Sequence, residues 1–205
     1  MKIRNKRFVY LISPTKISNN KFFKSLELVL KSKKVSFFQL RLKNEKFAKK
    51  ILVSKKIMNI CRKYKVKFLI NDDPTLALKV NADGCHLGQN DMNIVEAKRI
   101  LKNKIIGITC HNSIKLVKNA LINGANYIAV GAFYKTKTKK VKFIAKSSIL
   151  GKIKKLTINP IVAIGGINEK NYKKLLLNKA NFLAISSYIW NNNKYKPYEA
   201  IERLK

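Results

Sequence analysis

Acidic residues are scarce in this chain: 205 residues carry 10 Asp and Glu against 45 Lys and Arg, a formal net charge of +35. Cysteine is limited to three residues, histidine to two, proline to four and glycine to eight. Each shortage excludes something. Cys61, Cys85 and Cys110 are odd in number and widely spaced, so they make neither a disulfide framework nor a paired zinc or redox motif, and buried reduced thiols are expected. No linker, low-complexity tract or internal repeat is visible. No apolar run approaches the roughly 18 residues of a membrane span, and the run Phe8–Ile12 is too short for a signal-peptide core. A soluble, cytoplasmic protein with no membrane partner is expected. Disorder is excluded too, because the chain is 46 % hydrophobic and can fill a core; one domain over residues 1–205 follows from that length.

The basic excess has three readings: a nucleic-acid surface, capture of small anionic substrates, or drift towards Lys without local purpose. Only six of the basic residues are Arg, and Asn and Ile are also abundant, as AT-rich coding produces. Lysines spread over every expected helix without an aromatic-basic motif, which argues against a nucleic-acid partner.

Eight short apolar or β-branched runs recur: Phe8–Ser13, Phe37–Leu42, Lys67–Asn71, Gly84–Gly88, Ile105–Cys110, Tyr127–Phe133, Pro160–Gly165 and Phe182–Tyr188. Segments of helical spacing lie between them, such as Ile114, Val117 and Leu121. Asn93 and Glu96 read as a capping box ahead of Ile94, and Gly124 reads as a C-terminal cap. Alternating strands and helices without hairpin turns imply parallel strands and crossover helices, hence a single (β/α)8 TIM barrel. An open doubly wound sheet is the alternative, but the glycine-rich dinucleotide turn is missing after the first run. The helix between Pro74 and Val80 can have only about two turns.

A barrel carries its site at the C-terminal strand ends. In the second run a period of two puts Phe38, Leu40 and Leu42 on one face and Gln39, Arg41 and Lys43 on the other, three polar donors for the barrel mouth or, on an edge strand, a solvated face. All four aspartates, Asp72, Asp73, Asp83 and Asp91, fall within twenty positions. Asp72 ends the third run and Asp91 follows the fourth, so neighbouring strands bring both to one rim. Two carboxylates beside a polyanion suit Mg2+, which takes oxygen ligands and bridges them to phosphates; helix capping or lysine pairing is the alternative. Gly165-Gly166 and Ser186-Ser187 open the loops after strands seven and eight, where barrels often bind phosphate, and Asn168 is placed to open a helix there. Thr136, Thr138 and Lys139 lie in a Lys-Thr tract that suits a phosphate, although such a hexamer also reads as a surface patch. His86 and His111 sit near strand ends, where packed, hydrogen-bonded histidines are common.

Six stretches run in order along the chain: Gln-Leu-Arg-Leu-Lys from Gln39, Asn-Asp-Asp from Asn71, Ala-Asp-Gly-Cys-His-Leu-Gly-Gln-Asn-Asp from Ala82, Gly-Ile-Thr-Cys-His from Gly107, Thr-Lys-Thr-Lys from Thr136 and Ala-Ile-Gly-Gly-Ile from Ala163. Together they resemble the thiamine-phosphate synthase family and its close relative, the thiazole tautomerases. The resemblance implies a transferase that joins a hydroxymethylpyrimidine diphosphate to a hydroxyethylthiazole phosphate through a pyrimidine carbocation. By position, Gln39, Arg41, Lys43, Asn71, Thr109 and Lys139 would hold the pyrimidine diphosphate. Thr136, Thr138, Gly166, Ser186 and Ser187 would hold the thiazole phosphate, and Asp72 and Asp91 would bind Mg2+. Asp91 favours the synthase, since tautomerases commonly lack the second acid. Departures from the family pattern are Ala132 for a usual proline, a shorter stretch from Val141 to Ser148, Lys179 for a glycine and Tyr188 for an alanine. Small phosphorylated heterocycles are the expected partners, and a homo-oligomer is left open.

Overall fold

Each apolar run becomes a strand in the computed structural model, which describes residues 7–17, 20–136 and 144–205. The strands are β1 Val9–Ile12, β2 Val35–Leu40, β3 Lys67–Asn71, β4 Gly84–Leu87, β5 Ile105–His111, β6 Tyr127–Gly131, β7 Ile161–Ile164 and β8 Phe182–Ile185. All neighbours pair in parallel and in sequence order, and β8 closes on β1 through Val9 and Leu183, so the barrel has no edge. Helices α1 Lys21–Lys31, α2 Phe47–Lys63, α3 Pro74–Lys79, α4 Ile94–Leu101, α5 Ile114–Ile122, α6 Ser148–Lys154, α7 Tyr172–Leu177, α8 Ser187–Trp190 and α9 Pro197–Glu202 complete the described elements.

Strand alternation builds two apolar layers. Outward residues such as Phe38, Phe68, Cys85 and Ile128 bury against the helices. Inward residues Tyr10, Leu69, Tyr127, Ala129, Val162 and Ala184 fill the interior, and Phe37 and Phe182 pack against this cluster and edge to face on each other at 5.1 Å. Full burial of such a side chain stabilises by about 1.5–3 kcal/mol. Gly107 is required in this interior, because a β-carbon there would lie 1.8 Å from the Tyr127 ring. The three cysteines are buried and unpaired, and burial pushes each thiol pKa up, as reduced structural thiols require.

Local signals set several helix ends. Asn93 caps α4 by accepting from the Glu96 backbone N–H at 3.0 Å, half of the expected box. Gly124 leaves α5 at φ +78°, and α3 spans six residues, in line with the two-turn limit. Lys179 follows α7 at φ +80°, where a glycine would avoid the roughly 1–2 kcal/mol cost of a left-handed side-chain residue. Most strand boundaries differ from the sequence reading by one to three residues. β2 stops at Leu40 and β8 at Ile185, each short of its apolar run. Asn168 does not open α7; its side chain accepts from the Lys170 N–H in a turn, and the helix starts at Tyr172. No helix among the described residues is long and apolar enough to cross a membrane.

Candidate active site

The C-terminal ends of β2, β3 and β4 form one polar rim. Gln39 is buried, and its side-chain amide donates to Asn71 Oδ1, tying the C-terminal ends of β2 and β3 together. Arg41 and Lys43 lie just past β2 rather than on it. The Arg41 backbone N–H donates to Ser13 Oγ at 2.9 Å, so the chain leaves the strand under control. A cavity of about 470 Å³ opens here, lined by Lys43, Asn71, Asp72, Asp73 and Met92 among others.

Asp72 follows β3 at φ +65°, and its N–H donates to the His86 carbonyl at 2.8 Å. Asp91 turns back onto the loop after β4, accepting from the Gly88 N–H at 2.7 Å. The two carboxyls come within hydrogen-bond reach of each other. Burial, and then the Asp91 carboxyl, raise the Asp72 pKa from its ordinary 3.8 to about 6, while Arg41 and Lys43 pull it down. Two facing carboxylates built only of oxygen donors, of which Asp72 lines the cavity, fit a hard divalent cation that keeps water or phosphate oxygens as its other ligands. No cluster of three or more acidic, His or Cys ligands exists among the described residues.

The raised Asp72 pKa has a sign. The folded state holds this proton more tightly than the unfolded chain, so the contribution to stability is full below pH 3.8 and lost as pH rises through about 6. Relative to Asp72→Asn, the wild-type chain is expected to lose thermal stability between pH 4 and pH 7 when no divalent cation is present. Paired melting curves across that range check it, and a constant difference would refute it.

The other two aspartates do different work. Asp73 caps α3 by accepting from the Leu76 N–H at 2.8 Å. Asp83 precedes β4 at the opposite end of the barrel, bound to Lys67 Nζ at 2.8 Å and the Phe68 N–H at 2.9 Å. The sequence cluster therefore separates into a facing pair at the rim, a cap and a strut.

Across the mouth, Gly165 and Gly166 adopt φ +99° and +63°. They admit the loop after β6: Phe133 N–H donates to the Ile164 carbonyl at 3.0 Å and Tyr134 N–H to that of Gly165 at 3.2 Å. Thr136 lies on this loop, half-buried; Thr138 and Lys139 lie outside the described residues. Ser186 precedes α8, its hydroxyl donating to the Ser13 carbonyl at 3.2 Å, and Ser187 is the first residue of that helix. The Tyr188 hydroxyl is buried beside Glu169, Arg203 and Tyr195. Thr109 ends the inward row of β5, with Oγ1 2.9 Å from His86 Nε2. Burial lowers the His86 pKa to about 4, so this ring stays neutral at physiological pH.

Residues 9–189 match the family model described as thiamine monophosphate synthase. The chain belongs to that family. It is 67 % identical over 201 residues to the thiamine-phosphate synthase of Pelagibacter ubique, covering 98 % of this chain and 97 % of that one. The thiamine-phosphate synthase of Saccharophagus degradans is 37 % identical over 197 residues, covering 94 % and 90 %. The solved thiamine phosphate pyrophosphorylase of Pyrococcus furiosus superposes with a TM-score of 0.85 at 29 % identity, covering 99 % of this chain and 96 % of its own. A 3-hexulose-6-phosphate synthase, with a TM-score of 0.66 at 14 % identity, shares the barrel alone.

At the rim the sequence reading missed Ser13, and beneath the rim it missed the meeting of two interior tyrosines. Ser13 joins the ends of β1, β2 and β8: its N–H donates to the Gln39 carbonyl at 2.9 Å, its hydroxyl accepts from Arg41 N–H, and its carbonyl accepts from Ser186. Its place at the end of the first run was the available signal. Tyr10 and Tyr127 read as ordinary aromatic core, and only the closed barrel brings their hydroxyls together.

Proposed function

We propose that the chain is the synthase of its family, joining 4-amino-2-methyl-5-(diphosphooxymethyl)pyrimidine to 4-methyl-5-(2-phosphooxyethyl)thiazole to give thiamine phosphate and pyrophosphate. The observation that carries this reading over the tautomerase is the second rim carboxylate, Asp91, facing Asp72. Asp72 and Asp91 would hold Mg2+, which supplies charge neutralisation for the departing pyrophosphate. Gln39 and Asn71, fixed to each other, would orient the pyrimidine end, and Thr109 and Lys139 would add donors. Arg41 and Lys43 would take up charge as the C–O bond breaks and its electron pair stays with pyrophosphate. The thiazole nitrogen then forms the new C–N bond. Thr136, Thr138, Gly166, Ser186 and Ser187 would bind its phosphate through hydroxyl and backbone donors.

Such a reaction needs positioning and exclusion of water more than a general base. A neutral His86 with both ring nitrogens engaged agrees with that. The +35 charge would speed capture of both anions in a salt-dependent way. Purified protein incubated with both heterocycles and Mg2+ is expected to form thiamine phosphate and pyrophosphate in equal amounts. Absence of product at every Mg2+ concentration would overturn the reading, and conversion of the thiazole phosphate alone without metal would favour the tautomerase.

A further inference from the structure

A buried hydrogen-bond chain runs from the middle of the barrel to its rim, and its two ends differ. Tyr10 on β1 is 1 % exposed, and its hydroxyl lies 2.7 Å from that of Tyr127 on β6. The Tyr127 hydroxyl lies 2.8 Å from His86 Nδ1, and His86 Nε2 lies 2.9 Å from Thr109 Oγ1. Among the described residues, the Tyr10 hydroxyl has no side-chain or backbone partner other than Tyr127. Thr109 is half-buried and borders the mouth.

Hydroxyls and a neutral imidazole can be polarised in either direction along such a chain. If the protons pointed inward, Thr109 would donate to Nε2, Nδ1–H to Tyr127 and Tyr127 to Tyr10, leaving the Tyr10 proton orphaned among apolar side chains. If they point outward, Tyr10 donates to Tyr127, Tyr127 to Nδ1, and Nε2–H to Thr109. Every buried proton is then used, and only lone pairs on Tyr10 are idle. A buried donor without an acceptor costs more than an acceptor without a donor, so the blind inner end sets the sense of the whole chain.

We propose that Tyr127 is a positioning residue for Thr109: by donating to His86 Nδ1 it keeps the imidazole proton on Nε2, so that Thr109 turns its own hydroxyl proton outward to an anionic substrate oxygen. The opposite sense would present only lone pairs to a diphosphate, which repels them. A doubly protonated ring would donate in both directions and again leave the Tyr10 proton without an acceptor, so the blind end disfavours it as well. The chain is also built for: Gly107 alone leaves room for the Tyr127 phenol on the inward face of β5. The identity of the anion rests on the synthase reading; the sense of the chain in the free protein does not.

The test uses the full-length protein, whose only histidines are His86 and His111. Nitrogen-15 imidazole spectra of the free chain are expected to show His86 protonated on Nε2 and not on Nδ1; a proton on Nδ1 overturns the proposal. Tyr127→Phe, which removes the donor to Nδ1, is expected to raise KM for the pyrimidine diphosphate ~10-fold with a smaller change in kcat. Tyr10→Phe is expected to leave KM near the wild-type value, because Tyr127 then becomes the blind end and its proton still goes to Nδ1. Thr109→Ser is expected to retain tight binding and Thr109→Val to lose it. The Tyr127→Phe/Thr109→Val pair is expected to be no worse in KM than Thr109→Val. An unchanged KM for Tyr127→Phe, or additive losses in the pair, would show a merely structural tyrosine. If Tyr127→Phe fails to fold, the wild-type spectrum still decides. If the wild-type protein makes no thiamine phosphate, the synthase reading falls while the spectrum tests the chain independently.

Discussion

Asp91→Asn is expected to lower kcat by about 10²- to 10³-fold, the size of effect seen when one preorganised charge-stabilising group is removed from an active site. The fold should survive, because an asparagine oxygen can still accept from the Gly88 N–H that Asp91 now holds at 2.7 Å. What disappears is one of two negative charges that a metal would neutralise. Asp72, relieved of its neighbour, should then ionise at lower pH, since the Asp91 carboxyl is among the causes that raise it. The variant therefore keeps one carboxylate and should demand more Mg2+ for half-maximal activity.

Asp83→Asn is the matched control. Asp83 serves Lys67 and the Phe68 N–H at the far end of β4, so its loss should cost about 1 kcal/mol of stability and less than ~10-fold in kcat. Steady-state assays of both variants with Mg2+ titrated decide the matter. Equal losses in kcat would remove Asp91 from the metal site.

Gly166→Ala is expected to raise KM for the thiazole phosphate by roughly 10- to 100-fold while leaving KM for the pyrimidine diphosphate within about twofold, because misplacing a binding loop by about 1 Å can cost that much. The position has φ +63°, and a β-carbon there would meet the Lys135 carbonyl oxygen at 2.3 Å and Tyr134 Cβ at 2.8 Å. Neither contact is the far end of a flexible side chain. The loop that carries Thr136 is tied to β7 through Phe133 and Tyr134, so it must move to make room. A left-handed alanine adds about 1–2 kcal/mol of strain, visible as a lower Tm. Varying each substrate in turn checks the assignment; a rise confined to the pyrimidine diphosphate would place the two phosphates the other way round.

The legible parts of the site were those in which one residue and its strand position suffice. Period-two alternation sent Phe38 and Leu40 outward and Gln39 inward, and the closed barrel keeps that division. Asp72 and Asp91 could be paired from the adjacency of β3 and β4, because parallel neighbours share a C-terminal rim. Asp83 was harder: it is close to both in sequence, yet it precedes its strand, and a strand separates the two rims. Asn168 misled for a different reason, since its side chain satisfies a turn amide before any helix begins. β2 and β8 stop before their apolar runs do because pairing ends where Arg41 and Ser187 leave the barrel wall.

By itself, the sequence determined the eight-strand alternation, the inward and outward faces, and the kinds of groups on the rim, because each follows from the local periodicity of the backbone and from residue chemistry. Only the tertiary structure decided which groups meet. The contacts among Tyr10, Tyr127, His86 and Thr109 join four strands that lie up to 117 residues apart, and Ser13 touches partners at both ends of the chain. Such contacts depend on the closure of β8 onto β1, a long-range event that no local pattern encodes. The scarcity of acid takes its meaning from both levels: adjacency of β3 and β4 brings two of ten carboxylates to one rim, and the folded loops turn them towards each other near Arg41 and Lys43.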